Sequence, residues 1–158
     1  MNYGKVVNEK ELKEIVENLK KQNKKTVFTN GCFDIIHIGH VRYLKASKQC
    51  GDILIVGLNS DSSVKKLKGD SRPVNNQNDR AEILSEFNFV DYVIIFDENS
   101  PAYLLDRIKP DIYTKGADYT MDNLPEAPVV IKNNIEVRFI NFVEGKSTTN
   151  ILNKIRQN

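Results

Sequence analysis

Two uninterrupted apolar runs, Ile53-Leu54-Ile55-Val56-Gly57-Leu58 and Tyr92-Val93-Ile94-Ile95-Phe96, constrain this chain more than any other feature. Neither alternates polar with apolar, as a half-exposed strand does. Each reads as a strand covered on both faces, the condition of a parallel sheet with helices on either side. The remaining pattern agrees. Residues 8–22 place Leu12, Ile15, Val16 and Leu19 on one helical face, and 26–30 read as a strand. A helix running from about His40 carries Val41, Leu44 and Ala46 and stops at Gly51. Residues 79–89 have helical periodicity, Pro101 opens a helix to about Ile108, and 111–114 and 137–140 are short strands. A last helix starts at Ser147-Thr148-Thr149, good capping residues. Repeated strand–helix units predict an α/β fold with a doubly wound parallel sheet in a single domain, 25–158, preceded by a helical extension, 1–24. The polar stretches 62–78 and 116–128 read as irregular loops, and loops at strand C-termini are where such sheets bind ligands.

With 158 residues, the length suits one core. A net charge of +2 is too small to argue for a nucleic-acid surface. Cys32 and Cys50 lack metal-ligand spacing and read as thiols in a reducing compartment. No apolar stretch has the length of a signal-peptide core or a membrane span, so a cytoplasmic protein is expected.

The chemistry concentrates in Asn30-Gly31-Cys32-Phe33-Asp34-Ile35-Ile36-His37-Ile38-Gly39-His40, directly after the first apolar strand. His37 and His40 are the only histidines. A histidine at a helix start meets the positive end of the dipole, which disfavours protonation, yet a neutral imidazole still donates one N–H to a phosphate oxygen. Gly31 and Gly39 permit close backbone approach. Asp34 is suited to a divalent cation or a polar substrate group, and equally to stabilising a turn.

Three further clusters follow. Asn59-Ser60-Asp61 leads into a basic loop with Lys65, Lys68 and Arg72, and Arg80 opens the next helix; beside a phosphate site these cations suit an anionic acceptor or a triphosphate, and otherwise they are solvated charges. Lys115-Gly116-Ala117-Asp118-Tyr119 sets a lysine and an aspartate around a glycine turn. Gly145-Lys146-Ser147-Thr148-Thr149-Asn150 is either an anion nest or a plain helix cap. It is no P-loop, because Ile140 stands where that motif needs its first glycine.

Together these segments closely resemble the adenylyltransferase domain of bifunctional heptose kinase/adenylyltransferases and its stand-alone counterparts. His37-Ile38-Gly39-His40 is the H-x-G-H signature of the wider nucleotidyltransferase superfamily. Leu67-Lys68-Gly69, Arg72-Pro73-Val74, Asp79-Arg80, Lys115-Gly116-Ala117-Asp118-Tyr119 and Ser147-Thr148-Thr149-Asn150-Ile151 point to the heptose branch, and the resemblance spans about residues 24–156. It implies a Rossmann-like nucleotidyltransferase fold and transfer of AMP from ATP, with Mg²⁺, to D-glycero-β-D-manno-heptose 1-phosphate. The products would be ADP-heptose, for lipopolysaccharide or other surface glycan, and pyrophosphate. It implies that His37, His40 and Lys68 act on the triphosphate. Asn30, Gly31, Phe33, Asp34, Gly39, Gly116, Ser147, Thr148 and Thr149 would line the nucleotide site, and Lys115 and Asp118 would bind the nucleotide or the heptose. Asn59 and Asp61 would meet the sugar phosphate, and Lys68, Arg72 and Arg80 would contact the sugar phosphate or the leaving group. No residue is assigned as a metal ligand. A homodimer without nucleic-acid or membrane partners is expected, with heptose phosphorylation on another polypeptide. The alternative is a cytidylyltransferase acting on glycerol 3-phosphate or a similar small phosphate ester.

Overall fold

A computed structural model describes residues 5–141 and 146–158; residues 1–4 of the expected extension and Gly145 of the last motif lie outside the described residues. The elements are β1 (Lys5–Val6), α1 (Glu9–Lys21), β2 (Thr26–Gly31), α2 (Ile38–Lys48), β3 (Ile53–Asn59), α3 (Asp61–Lys68) and α4 (Gln77–Ser85). There follow β4 (Tyr92–Phe96), α5 (Ala102–Ile108), β5 (Ile112–Gly116), α6 (Ala127–Lys132), β6 (Glu136–Ile140) and α7 (Thr148–Gln157). Six strands form one parallel sheet in the order β1-β4-β3-β2-β5-β6. The chain builds outward from β2 through β3 to β4, then crosses back to place β5 and β6 on the other side. The expected double winding is therefore present, and its switch point lies between β2 and β5.

Alternation along the strands splits the core in two. Phe28, Ile55, Ile94 and Tyr113 pack with Leu12 and Val16 of α1, Leu105 of α5 and Val130 of α6. Val27, Leu54, Val56, Val93 and Ile112 face the other way, against Leu44 of α2 and Leu84 of α4. The N-terminal segment is part of this body. Asn8 and Glu11 form a reciprocal capping box that starts α1, and β1 pairs with β4 at the sheet edge. At the N-terminal ends of the strands, carboxylates tie neighbours together: Asp111 accepts the N–H and hydroxyl of Thr26 at 2.8 and 2.9 Å, and Asp91 accepts the Leu54 N–H at 2.7 Å. The opposite, C-terminal edge is left for a ligand.

Besides β1, which the sequence pattern does not announce, three elements depart from the expected pattern. α3 occupies part of the stretch read as irregular; Ser60 caps it, and Val64 is its one buried apolar side chain. α6 follows the second polar stretch, with Pro128 in its first turn. α4 stops at Ser85, and Phe87 and Phe89 stack on each other beyond it, centroids 5.2 Å apart.

Candidate active site

Six residues carry the chain from the end of β2 over the sheet edge into α2. His37 is the N-cap of α2, and its Nδ1 accepts the Gly39 N–H at 3.1 Å. His40 reaches back, its Nδ1 accepting the His37 N–H at 3.3 Å. The motif is thus a capping box made of imidazoles, satisfying two of the helix's free N–H groups. The rings stack with centroids 3.8 Å apart, and Phe33 packs edge-on against His40 at 5.2 Å. A backbone N–H only donates, so both δ nitrogens carry lone pairs and the ring proton of each neutral imidazole sits on Nε2. Burial, and then the Lys146 cation, hold His37 below its ordinary pKa; burial, and then His37 itself, push His40 down to about 4. Near neutral pH the pair offers two uncharged N–H donors.

The glycines answer to these rings. A Cβ on Gly39 would lie 2.8 Å from His37 Cε1 and 2.9 Å from its Nδ1. A Cβ on Gly31 would lie 2.8 Å from the ring of Phe33, a non-glycine residue held at φ +43°. Any side chain at either position displaces an aromatic ring from the cleft wall.

Both histidines line a cleft of about 750 Å³ over the C-terminal ends of the strands. The start of α7 closes it: Ser147 caps the helix by accepting the Asn150 N–H at 3.0 Å, and the Thr148 hydroxyl donates to the Ile35 carbonyl at 3.1 Å, fastening the helix to the β2–α2 loop. Asn30, Gly31, Phe33, Asp34, Gly39, Asn59, Lys68, Arg72, Lys115, Gly116 and Thr149 line the same cleft. The segments singled out in the sequence therefore converge.

Several of them do so in other roles than their composition suggests. Asp34 is buried, and its carboxylate is committed: it accepts the N–H groups of Val74 and Asn75 at 2.9 Å and Arg72 Nε at 2.7 Å. Burial alone would raise its pKa, but those hydrogen bonds more than offset it and hold the carboxyl below its ordinary value. Asp34 pins the 72–75 loop, and Arg72 keeps its terminal nitrogens for the cleft. The amide oxygen of Asn30 accepts the Tyr113 hydroxyl at 2.7 Å, which orients the amide. Arg80 needs correction. It is 1% exposed and does not line the cleft; its nitrogens donate to the carbonyls of Asn75, Cys32 and Asn59 and to the Asp61 carboxylate at 2.7–2.9 Å. It braces the loops behind the site instead of meeting a substrate. Asp61, spent on Arg80, and the exposed Asp118 also fall outside the lining.

Other lining residues carry little signal of their own in the sequence. Lys146 sits beside His37 and had only its neighbours' motif to mark it. Tyr119, with Lys115 Nζ 4.9 Å from its ring centroid, is marked in the sequence only as the last residue of Lys115-Gly116-Ala117-Asp118-Tyr119. Ser100 and Glu126, joined by a 2.8 Å hydrogen bond, belong to segments 26 residues apart and carry no local pattern.

A Rossmann-like sheet whose switch-point cleft brings the H-x-G-H imidazoles against a Ser-Thr helix cap defines a nucleotidyltransferase. The chain belongs to the cytidylyltransferase-like family, whose model matches residues 28–154. It is 56% identical over 146 residues to the bifunctional protein HldE of Campylobacter concisus, covering 92% of this chain and 30% of that protein. It is 53% identical to HldE of Nitratiruptor sp. over 148 residues, covering 92% and 31%. The chain thus spans about a third of the length of these curated relatives. Among solved structures, a lipopolysaccharide core biosynthesis protein from Thermoplasma volcanium superposes with a TM-score of 0.62 at 33% identity, over 78% of this chain and 99% of the other.

Proposed function

We propose that this protein transfers AMP from ATP to D-glycero-β-D-manno-heptose 1-phosphate, forming ADP-heptose and pyrophosphate. The observation that carries the reading is the pairing of two neutral Nε2–H donors with the N-terminus of α7 in one cleft. That arrangement suits the polyphosphate of a nucleotide, and the heptose-branch motifs around it supply the acceptor.

The sugar-phosphate oxygen is already an anion at neutral pH, so attack on the α-phosphorus needs no general base. An oxygen–phosphorus bond forms in line as the bond to the leaving pyrophosphate breaks. His37 and His40 donate to the oxygens on which charge develops, and such preorganised donors each contribute about 3–4 kcal/mol to the transition state. Lys68 and the terminal nitrogens of Arg72 counter the repulsion between two anionic reactants. The backbone at Gly31 and Gly39, the Phe33 ring and the cap at 147–149 shape the nucleotide site, and Asn30, Lys115 and Gly116 line the cleft beside it.

Among the described residues no group of three or more His, Cys, Asp or Glu side chains is disposed to hold a metal, and the Asp34 carboxylate is spent on its loop. These residues suit a Mg²⁺ that arrives chelated by the triphosphate, where it would neutralise phosphate charge. Among the described residues no helix is long and apolar enough to cross a membrane. A cytoplasmic homodimer belongs to the same proposal.

The test is pyrophosphate release with each of four nucleoside triphosphates against heptose 1-phosphate and glycerol 3-phosphate. The expected result is turnover with ATP and the heptose; turnover with CTP and glycerol 3-phosphate instead would assign the cytidylyltransferase alternative.

A further inference from the structure

One buried group in the cleft has no use in the chemistry above. Glu126 is 3% exposed and lines the cleft at the mouth of α6. Its Oε1 accepts the Ser100 hydroxyl at 2.8 Å, whereas its Oε2 has no hydrogen-bond partner among the described residues. Burial first, and then the Glu126 carboxylate within hydrogen-bonding reach of its hydroxyl, oppose ionisation of Tyr113. That hydroxyl has one proton, and its 2.7 Å acceptor is the Asn30 amide oxygen, which leaves Oε2 without a full donor. Lys115 lies over the Tyr119 ring, and among the described residues Glu126 enters no ion pair. A buried carboxylate oxygen left unsatisfied is costly, so its placement on a ligand cleft marks a site for a donor. An anion would be repelled there, and a metal would find too few ligands. What fits is a neutral group rich in O–H or N–H.

Position selects between those. Glu126 and Ser100 sit on the sheet face of α5 and α6, while the histidines cap α2, which packs on the opposite face. In-line displacement puts the incoming acceptor opposite the leaving pyrophosphate. With pyrophosphate held by the imidazoles and α7, the acceptor enters from the Glu126 side. We propose that Glu126, oriented by Ser100, accepts hydrogen bonds from the sugar hydroxyls of the acceptor and thereby selects a polyhydroxylated substrate. Tyr119, on the same wall, offers its ring to the C–H face of the sugar. This rests on the sugar-phosphate reading above.

The test is calorimetric binding of heptose 1-phosphate and of a non-hydrolysable ATP analogue to the wild type, Glu126→Gln and Ser100→Ala, alongside turnover by the wild type. Glu126→Gln keeps the size of the side chain and an acceptor for Ser100, and thermal melting reports whether it folds. The expected result is a tenfold or greater loss of heptose 1-phosphate affinity in Glu126→Gln, a smaller loss in Ser100→Ala, and ATP-analogue affinity within twofold of wild type. Unchanged heptose affinity, or a loss confined to the ATP analogue, overturns the assignment. A wild type that binds the heptose through Glu126 without turnover sinks the transferase reading alone. Turnover with Glu126→Gln binding as wild type sinks this inference alone, and a wild type that binds no heptose 1-phosphate sinks both.

Discussion

His37 and His40 hold each other through the backbone of one helix turn: His40 Nδ1 takes the His37 N–H while His37 Nδ1 takes that of Gly39, and the rings stack 3.8 Å apart. Neither ring can take up a proton at Nδ1 without turning that hydrogen bond into a clash of donors. The pair is thereby fixed as neutral and donating, able to hydrogen-bond an anionic oxygen without first taking up a proton.

On the proposed mechanism, His40→Ala removes a donor that matters most as charge develops. Its kcat should fall by about 10²–10³-fold, with the KM for ATP nearly unchanged. Steady-state kinetics check this; loss expressed mainly in KM would mean that the donor serves ground-state binding.

Protonation should follow the lowered pKa values. Both folded-state values lie below the ordinary imidazole value of 6.5, His40 at about 4. As pH falls from 6.5 the unfolded chain binds protons that the folded one refuses, so stability is complete above 6.5 and declines through about 4. Melting temperatures across pH 4–8 should show that decline, and His40→Ala should flatten it. The pH profile of kcat/KM should lack a histidine inflection near 6.5.

Gly39→Ala separates activity from stability. Alanine inside a helix ordinarily adds about 1 kcal/mol over glycine, but here its Cβ would meet His37 Cε1 at 2.8 Å. Turnover should drop at least about tenfold, by the loss of an aligned donor, while the melting temperature stays near that of wild type.

Asp34 and Arg80 should behave as braces. The Asp34–Arg72 ion pair leaves side-chain exposures of only 1% and 13%, and Asp34→Ala orphans two loop N–H groups besides. Breaking such a buried pair costs about 3–5 kcal/mol. Arg80→Lys should also lower the melting temperature, since an ammonium cannot reach three carbonyls and a carboxylate at once. Chemical denaturation checks both, and an Arg80→Lys protein of full stability with a raised acceptor KM would return that residue to the substrate.

What the amino-acid sequence disclosed follows from where its information is local. Ile53–Leu58 and the run at β4 announce buried parallel strands, because continuous apolarity has few other causes. H-x-G-H announces its cap because its hydrogen bonds close within four residues. β1 left no trace, since Lys5 and Val6 are both exposed and two residues make no period. α3 hid because Ser62 and Ser63 dilute its one buried apolar residue. The roles of Asp34 and Arg80 depend on loops about 40 and 48 positions away, and Glu126 meets Ser100 only in the folded cleft. A charge beside a phosphate motif looks like a ligand until its partners are known.

The most direct measurement of the central claim is ¹⁵N-histidine NMR at pH 7, with and without a non-hydrolysable ATP analogue. Both imidazoles should appear as neutral Nε2–H tautomers, and both Nε2 resonances should shift when the analogue binds. A ring protonated at Nδ1, or a pair indifferent to the nucleotide, would contradict the account.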